Sequence, residues 1–349
     1  MNVNEVIATL ASIKCNQEVS PLQDVNMHQS TNDTYPTAIK ISIIQEIRKL
    51  ADELVKLQTT LQEKETKYSD VLKLGRAQLM DAVPMLAGQM FGAHANAISR
   101  DRWRIYKSEE RLRTVNIGGT AIGTGLNAPR EYTFMMTNLL KEHTSIGLAR
   151  ADSLIDNTQN LDVFVEVSGL LKTCASSLIK ISNDYRFLAS GPNGGIGEIH
   201  LEKRQLGSTI MPGKINPVIL ENTIIIASRV IANDVMITNL VSMGNLELNA
   251  FLPGIAEALL ESTTLLKNGV DKFNTYAVKP MTVNQEKCNE NILKSHTLIT
   301  PLLPFIGYEK AEMIVEKARN ENKDLLYIIE QETDFTLEEL KSLLKPQNI

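Results

Sequence analysis

Val218-Ile-Leu-Glu-Asn-Thr-Ile-Ile-Ile-Ala-Ser-Arg-Val-Ile-Ala-Asn-Asp-Val-Met-Ile-Thr-Asn-Leu-Val-Ser-Met243 is apolar around most of its circumference. A helix greasy on every side is wrapped by other helices. Its length would also span a bilayer, but Glu221, Asn222, Arg229, Asn233 and Asp234 interrupt it too often for a lipid surround. Neighbouring subunits would supply the wrapping helices most easily. This one stretch therefore points to a soluble, all-α, long-helix bundle.

Upstream, the same architecture repeats. Ile43, Ile47, Leu50, Leu54, Leu57 and Leu61 are spaced 4, 3, 4, 3, 4, an a/d seam with charged residues between. The spacing predicts a long helix following Pro36. Further helices are expected from about Pro84 to Arg113, after Pro129, over Val163 to Leu188, and from Pro253 to about Asn274. Residues 286–349 are more charged and short-helical, and Thr336 with Glu339 forms a capping-box pattern. No convincing strand series, internal repeat or low-complexity tract stands out.

The bulk numbers agree. The chain has 349 residues, 22% charged, 5% aromatic, with a formal net charge of −5. No global basic field exists to draw nucleic acid or anionic membranes. Three well-separated cysteines, Cys15, Cys174 and Cys288, form neither a disulfide framework nor a CxxC pair. The opening residues lack the pattern of a signal peptide, so a cytoplasmic location is expected. The five histidines show no metal-binding spacing, so no metal is expected.

Polar chemistry concentrates in three places. The first is Gly207-Ser-Thr-Ile-Met-Pro-Gly-Lys-Ile-Asn-Pro217, immediately before the apolar helix. Gly and Pro exclude a regular element here. Ser208, Thr209, Lys214 and Asn216 converge on one loop, with Glu221 a turn into the helix, and Lys214, Asn216 and the helix start suit an anion. No histidine partner stands near Ser208, which could act as a base only if backbone N–H groups and Lys214 depressed its pKa. Read alone, the run has a blander reading as a polar turn before a helix. The second is His28-Gln-Ser-Thr-Asn-Asp33, whose Ser30, Thr31 and Asn32 offer short donors at a helix start; an ordinary cap would look the same. The third is Gly75-Arg-Ala-Gln-Leu-Met-Asp-Ala-Val-Pro84, which reads as a loop between helices, with Gln78 and Asp81 as possible contacts. Gly191, Pro192, Gly194, Gly195 and Gly197 make residues 189–207 a flexible loop by composition, without a nucleotide-binding fingerprint. Asn116–Asn127 is similarly Gly-rich and suits close helix approach.

Together these segments resemble the aspartase/fumarase superfamily. The signature loop is 207–217; Met27–Pro36 and Gly75–Pro84 match its two other regions in order, and Gly119–Asn127 and Gly244–Asn249 also fit. Within the superfamily the aspartate ammonia-lyase branch is the nearer. Gln78 stands where fumarases usually carry His, and Asn216–Glu221 and Leu344-Lys-Pro-Gln-Asn348 are closer to that branch. The resemblance implies an all-α homotetramer whose active sites each combine residues of three subunits, with residues 30–285 as the central bundle, 286–349 as a small C-terminal helical domain and 1–29 as the remnant of an N-terminal domain. It implies a dicarboxylate substrate, L-aspartate, converted to fumarate and ammonia by anti elimination, with no cofactor and no nucleic-acid or membrane partner. Ser208 then corresponds to the general base. Ser30, Thr31 and Thr209 correspond to the β-carboxylate contacts, and Lys214 and Asn216 to the α-carboxylate site. Asn32 and Gln78 lie where the leaving amine is contacted, and Glu221 matches an acid behind them.

Three departures accompany the resemblance. Met1-Asn-Val-Asn-Glu-Val-Ile-Ala8 matches the middle of a family motif whose preceding Gly-Thr-Ser contains a substrate-contacting Thr. Ala77 replaces the family's Thr, and Ser20–Asp24 replaces a His-rich turn. Impaired turnover is expected from them. Two other readings stay open: a fumarate hydratase, and a non-catalytic homologue that keeps only the oligomeric scaffold.

Overall fold

The computed structural model describes residues 2–205 and 207–343; the Leu344–Asn348 resemblance lies outside them. The helices are α1 (Asn2–Cys15), α2 (Thr31–Lys67), α3 (Ala87–Leu112), α4 (Arg130–Thr144), α5 (Leu154–Gln159), α6 (Asp162–Leu188), α7 (Val218–Ser242), α8 (Leu252–Phe273), α9 (Gln285–Lys294), α10 (Leu303–Ile306), α11 (Tyr308–Glu321), α12 (Leu325–Glu332) and α13 (Leu337–Leu343). Helix accounts for 68% of the protein, as the all-α reading expects. Among the described residues the strands form three two-stranded sheets. They are β1 (Leu72–Ala77) with β2 (Met80–Leu86), β3 (Thr114–Val115) with β4 (Ala149–Arg150), and β5 (Ile199–His200) with β6 (Thr282–Val283).

The chain divides into two compact units. One comprises residues 1–53, 101–176 and 225–268; the other comprises 54–100, 177–224 and 269–349. Each takes part of the long helices α2, α3, α6, α7 and α8. The seam is buried along its whole length: Ile43, Ile47, Leu50, Leu54, Leu57 and Leu61 are all at most 1% exposed. In the second unit a satellite core joins Leu74 of β1 to Ile292, Leu302, Ile314 and Ile328 of the C-terminal helices. Thr336 and Glu339 close the expected capping box, with Thr336 N–H donating to Glu339 Oε2 at 2.9 Å and Glu339 N–H to Thr336 Oγ1 at 3.3 Å.

Three sequence expectations need correction. First, α2 starts at Thr31, so Pro36 lies inside it rather than ahead of it. A proline there leaves the carbonyl four residues back without its helical donor. That carbonyl belongs to Asn32, and Asn116 Nδ2 donates to it at 3.0 Å. The proline is tolerated because its orphaned acceptor is satisfied from outside the helix. Second, residues 75–84 are not a loop and no helix begins at Pro84. They form most of an antiparallel hairpin in which Pro84 pairs with Leu74, with a register shift between Leu74 and Arg76. Helix α3 begins only at Ala87. Third, the Gly-rich segment is not wholly irregular. Gly197 N–H bonds Ser190 O at 3.0 Å, Glu198 N–H bonds Leu188 O at 2.9 Å, and β5 follows.

Candidate active site

In the first unit, Ser30 is the N-cap of α2. Its Oγ accepts Asn32 N–H at 3.2 Å, and Asp33 Oδ1 accepts Ser30 N–H at 3.0 Å. This is a reciprocal capping box with Asp in the third position. The ordinary cap is present, and it uses the oxygen of the Ser30 hydroxyl as acceptor, which leaves the proton to donate. Asn32 Nδ2 donates to Ala121 O at 2.7 Å. That bond fixes the amide so that the carbonyl oxygen is the remaining end, the right polarity for an ammonium leaving group. Thr31 is exposed on the first turn.

Beneath these residues lies a buried layer. Asp33 is 0% exposed, and its Oδ2 accepts Gly118 N–H at 3.1 Å and Thr120 N–H at 2.9 Å. Burial pushes this carboxyl up, against the lowering effect of its backbone donors. Lys40, also buried, donates to Thr114 O at 2.7 Å and Asn157 Oδ1 at 2.9 Å. Desolvation pulls its ammonium down to about 8, opposed by the charge of Asp162.

In the second unit, the 207–217 loop closes on itself. Asn216 Nδ2 donates to Gly207 O at 2.6 Å, and a Cβ on Gly207 would overlap the Lys214 carbonyl oxygen, so only glycine fits. Ser208 Oγ accepts two backbone N–H groups, from Met211 at 3.0 Å and Ile210 at 3.2 Å. These are the donors that an alkoxide at this position needs. Thr209 and Lys214 are exposed, and Ser208 and Asn216 are half-buried. One Asn216 amide hydrogen is spent on the loop, leaving the second for a carboxylate. Glu221 sits in the first turn of α7, 3.7 Å from Arg186.

Gln78 occupies the tip of the β1–β2 hairpin. Its φ is 54° and that of Leu79 is 65°, a two-residue turn with both residues in the left-handed region. Asp81 is exposed on β2. The hairpin is pinned from below. Glu198, 1% exposed, takes a two-pronged contact from Arg76 at 2.7 and 3.1 Å, accepts Asn291 Nδ2 at 2.9 Å and lies 3.5 Å from the Lys73 ammonium. Burial alone would raise the Glu198 carboxyl, but Arg76 and Lys73 bring it below its ordinary range. Sequence reasoning placed Ser208 and Asn216 on one loop. It missed the roles of Asp33, Lys40 and Glu198, whose only signal was an isolated charge, beside a polar or glycine-rich run for Asp33 and Glu198 and between two isoleucines for Lys40.

His94 is an ordinary satisfied histidine, bonded to the Tyr185 hydroxyl at 2.9 Å and Asp184 at 3.1 Å. Among the described residues no group of three or more His, Cys, Asp or Glu side chains could hold a metal ion.

A family model described as "Lyase" matches residues 1–232, and one described as "Fumarase C C-terminus" matches residues 298–349. The chain belongs to this lyase family. An aspartate ammonia-lyase of Helicobacter pylori is 38% identical, aligned over 100% of this chain and 76% of that protein. That of Bacillus subtilis is 40% identical over 99% of this chain and 74% of its own length. Among solved structures, a fumarate lyase:delta crystallin from Brucella melitensis bound to cobalt superposes with a TM-score of 0.95 at 36% identity, covering 100% of this chain and 77% of that one. A recombinant class II fumarase from Schistosoma mansoni gives 0.92 at 30% identity, with 100% and 77% covered. The family's helical architecture is the one described above.

Proposed function

We propose that this chain is an aspartate ammonia-lyase, a carbon–nitrogen lyase that releases ammonia from L-aspartate to give fumarate. The identity to curated aspartate ammonia-lyases over the whole chain supports the reaction. The observation that carries the mechanism is Ser208 Oγ, held by two backbone N–H groups in a loop that also bears Lys214.

In this reading Ser208 takes the Cβ proton. The C–H electron pair flows toward the β-carboxylate, which becomes an aci-carboxylate dianion stabilised by the Ser30, Thr31 and Thr209 hydroxyls. The pair then closes the carbon–carbon double bond as the C–N bond breaks and ammonia departs on the opposite face, past the Asn32 oxygen and Gln78. Lys214 and the free Asn216 amide hydrogen hold the α-carboxylate. Glu221 lies behind this array. Ala77 lacks the hydroxyl that the family places beside Gln78; a missing substrate hydrogen bond costs about 1–3 kcal/mol, or roughly one to two orders of magnitude in rate.

The three segments are proposed to meet across protomers of a homotetramer. Only 28% of the most apolar 18-residue window of α7 is buried in the single chain, and Ile225 and Val235 are 67% and 58% exposed. By length and composition α7 could also cross a bilayer. Its polar residues support protein neighbours instead: Asp234 pairs with Lys172 at 2.6 Å and Arg229 with Glu261 at 3.1 Å.

The test is fumarate absorbance from purified protein given L-aspartate or L-malate, beside a Ser208→Ala control. Turnover of aspartate that falls by at least about a thousandfold in the control, with the assembly intact, supports the reading. Faster turnover of malate would make it a hydratase, and wild-type protein no better than the control would leave only the scaffold.

A further inference from the structure

The loop Asn116–Ala121 was given no part in the chemistry by sequence, yet it is bonded to the start of α2 through Asp33 and Asn32. Asp33 directs one carboxylate oxygen to the N-cap of α2, accepting Ser30 N–H at 3.0 Å. The other oxygen accepts Gly118 N–H at 3.1 Å and Thr120 N–H at 2.9 Å. Two further bonds run between the same segments, Asn32 Nδ2 to Ala121 O at 2.7 Å and Asn116 Nδ2 to Asn32 O at 3.0 Å. Asn116 Nδ2 is itself steadied by Thr158 Oγ1 at 2.9 Å.

The loop is held in a costly shape. Thr120 has φ 57°, and a β-branched residue in the left-handed region is a true outlier that persists only where its surroundings over-determine it. Its backbone N–H is one of the two that Asp33 grips. Full burial of an acceptor facing three backbone donors would be wasteful if capping α2 were its only task, since Oδ1 alone does that.

We propose that Asp33 is a positioning residue for the substrate: it clips the Ser30–Asn32 turn to the Gly118–Ala121 loop, so that the Ser30 hydroxyl and the Asn32 carbonyl oxygen are aimed before substrate arrives. Pre-aimed groups bind without first losing freedom. Asp33 contacts no reacting atom. An Asn at this position cannot substitute, because its amide nitrogen would face a backbone N–H at one end of the clip. Releasing the loop end lets Thr120 relax and loosens the Ala121 carbonyl that holds the Asn32 amide, and releasing the other end loosens the Ser30 turn.

This inference rests on the assignment of Ser30 and Asn32 as substrate contacts, and its test separates the two. The first arm is kinetic. Asp33→Asn is expected to raise KM for L-aspartate about tenfold, with kcat per folded protein changed less than threefold. Thr120→Gly, which accepts a positive φ without strain, is expected to leave KM within twofold alone and to recover about threefold of the loss in the double variant. A capping role alone would lower thermal stability and leave KM unmoved, and that result overturns the proposal, as does a double variant no better than Asp33→Asn. The second arm uses the wild-type chain and needs neither turnover nor a foldable variant. Amide hydrogen exchange over residues 30 and 118–120 is expected to be slow in the free protein and to change less than threefold with saturating succinate. Fast exchange that slows only with succinate would show that the ligand makes the clip, and would overturn the proposal even in a fully active enzyme. Slow exchange in a protein without lyase turnover would instead leave the clip standing and remove the assigned reaction.

Discussion

Lys40 shows how a single side chain can be forced by its surroundings. Its ammonium sits at 2% exposure with two oxygen acceptors and a value near 8. The unfolded chain holds that proton to about 10.5. Between those values the unfolded state binds more protons, so stability rises with pH across the window and is lowest below 8. Lys64, whose Nζ donates to the Met281 and Lys279 carbonyls, is pulled to about 8 in the same direction by burial. We expect the unfolding free energy of the wild type, and with it the urea midpoint, to climb from pH 8 to pH 10 relative to Lys40→Met, the free energy by up to about 1.4 kcal/mol per pH unit. Parallel midpoints in urea titrations of the two proteins would refute this. The same scale explains what was legible. Ser208 was visible as a hydroxyl in a glycine-punctuated loop. The two N–H groups that hold it were not, because backbone direction inside a loop has no side-chain signature.

At the level of elements, the β1–β2 hairpin carries Gln78 and depends on Glu198. Removing the charge of Glu198 leaves Arg76 and Lys73 facing a neutral group at 1% exposure. Breaking a buried pair from one side costs about 3–5 kcal/mol. Glu198→Gln is therefore expected to lower stability by that amount in urea titrations and to expose the hairpin to limited proteolysis; a loss below about 1 kcal/mol would contradict it. The 207–217 loop has its own fixed point at Gly207. Gly207→Ala is expected to reduce turnover at least about tenfold, with a melting temperature within a few degrees of wild type, because the Cβ displaces the Lys214 carbonyl and with it the frame of Ser208. The hairpin escaped the sequence because its turn is Gln78-Leu79 rather than Asn-Gly, the usual signal for two positive φ values. Pro84 also reads as a helix start. Pairing with Leu74 and the Glu198 clamp override both local preferences.

For the whole molecule, α7 sets the expectation. In the single chain Ile225 and Val235 of α7 are 67% and 58% exposed, and the proposed assembly would cover them. Sedimentation at micromolar concentration is expected to give a tetrameric mass for the wild type. Ile225→Asp and Val235→Asp together are expected to give smaller species, with lyase turnover falling in step if active sites are shared between protomers. A wild type that sediments as a monomer would remove the shared-site reading.

The sequence by itself determined the long helices, though not all their starts, because 3.6-residue periodicity and the 4-3-4-3-4 seam are written in consecutive side chains and burial follows from them. It also determined the family, since the motifs are contiguous strings. Only the tertiary structure decided the hairpin under Gln78, the Asn116 donor that makes Pro36 tolerable, and the grip of Asp33 and Glu198 on segments far away in the chain. Those depend on which distant backbone donor or guanidinium arrives beside a carboxylate. That is a property of packing, and residues 85 or 122 positions apart carry no local mark of it.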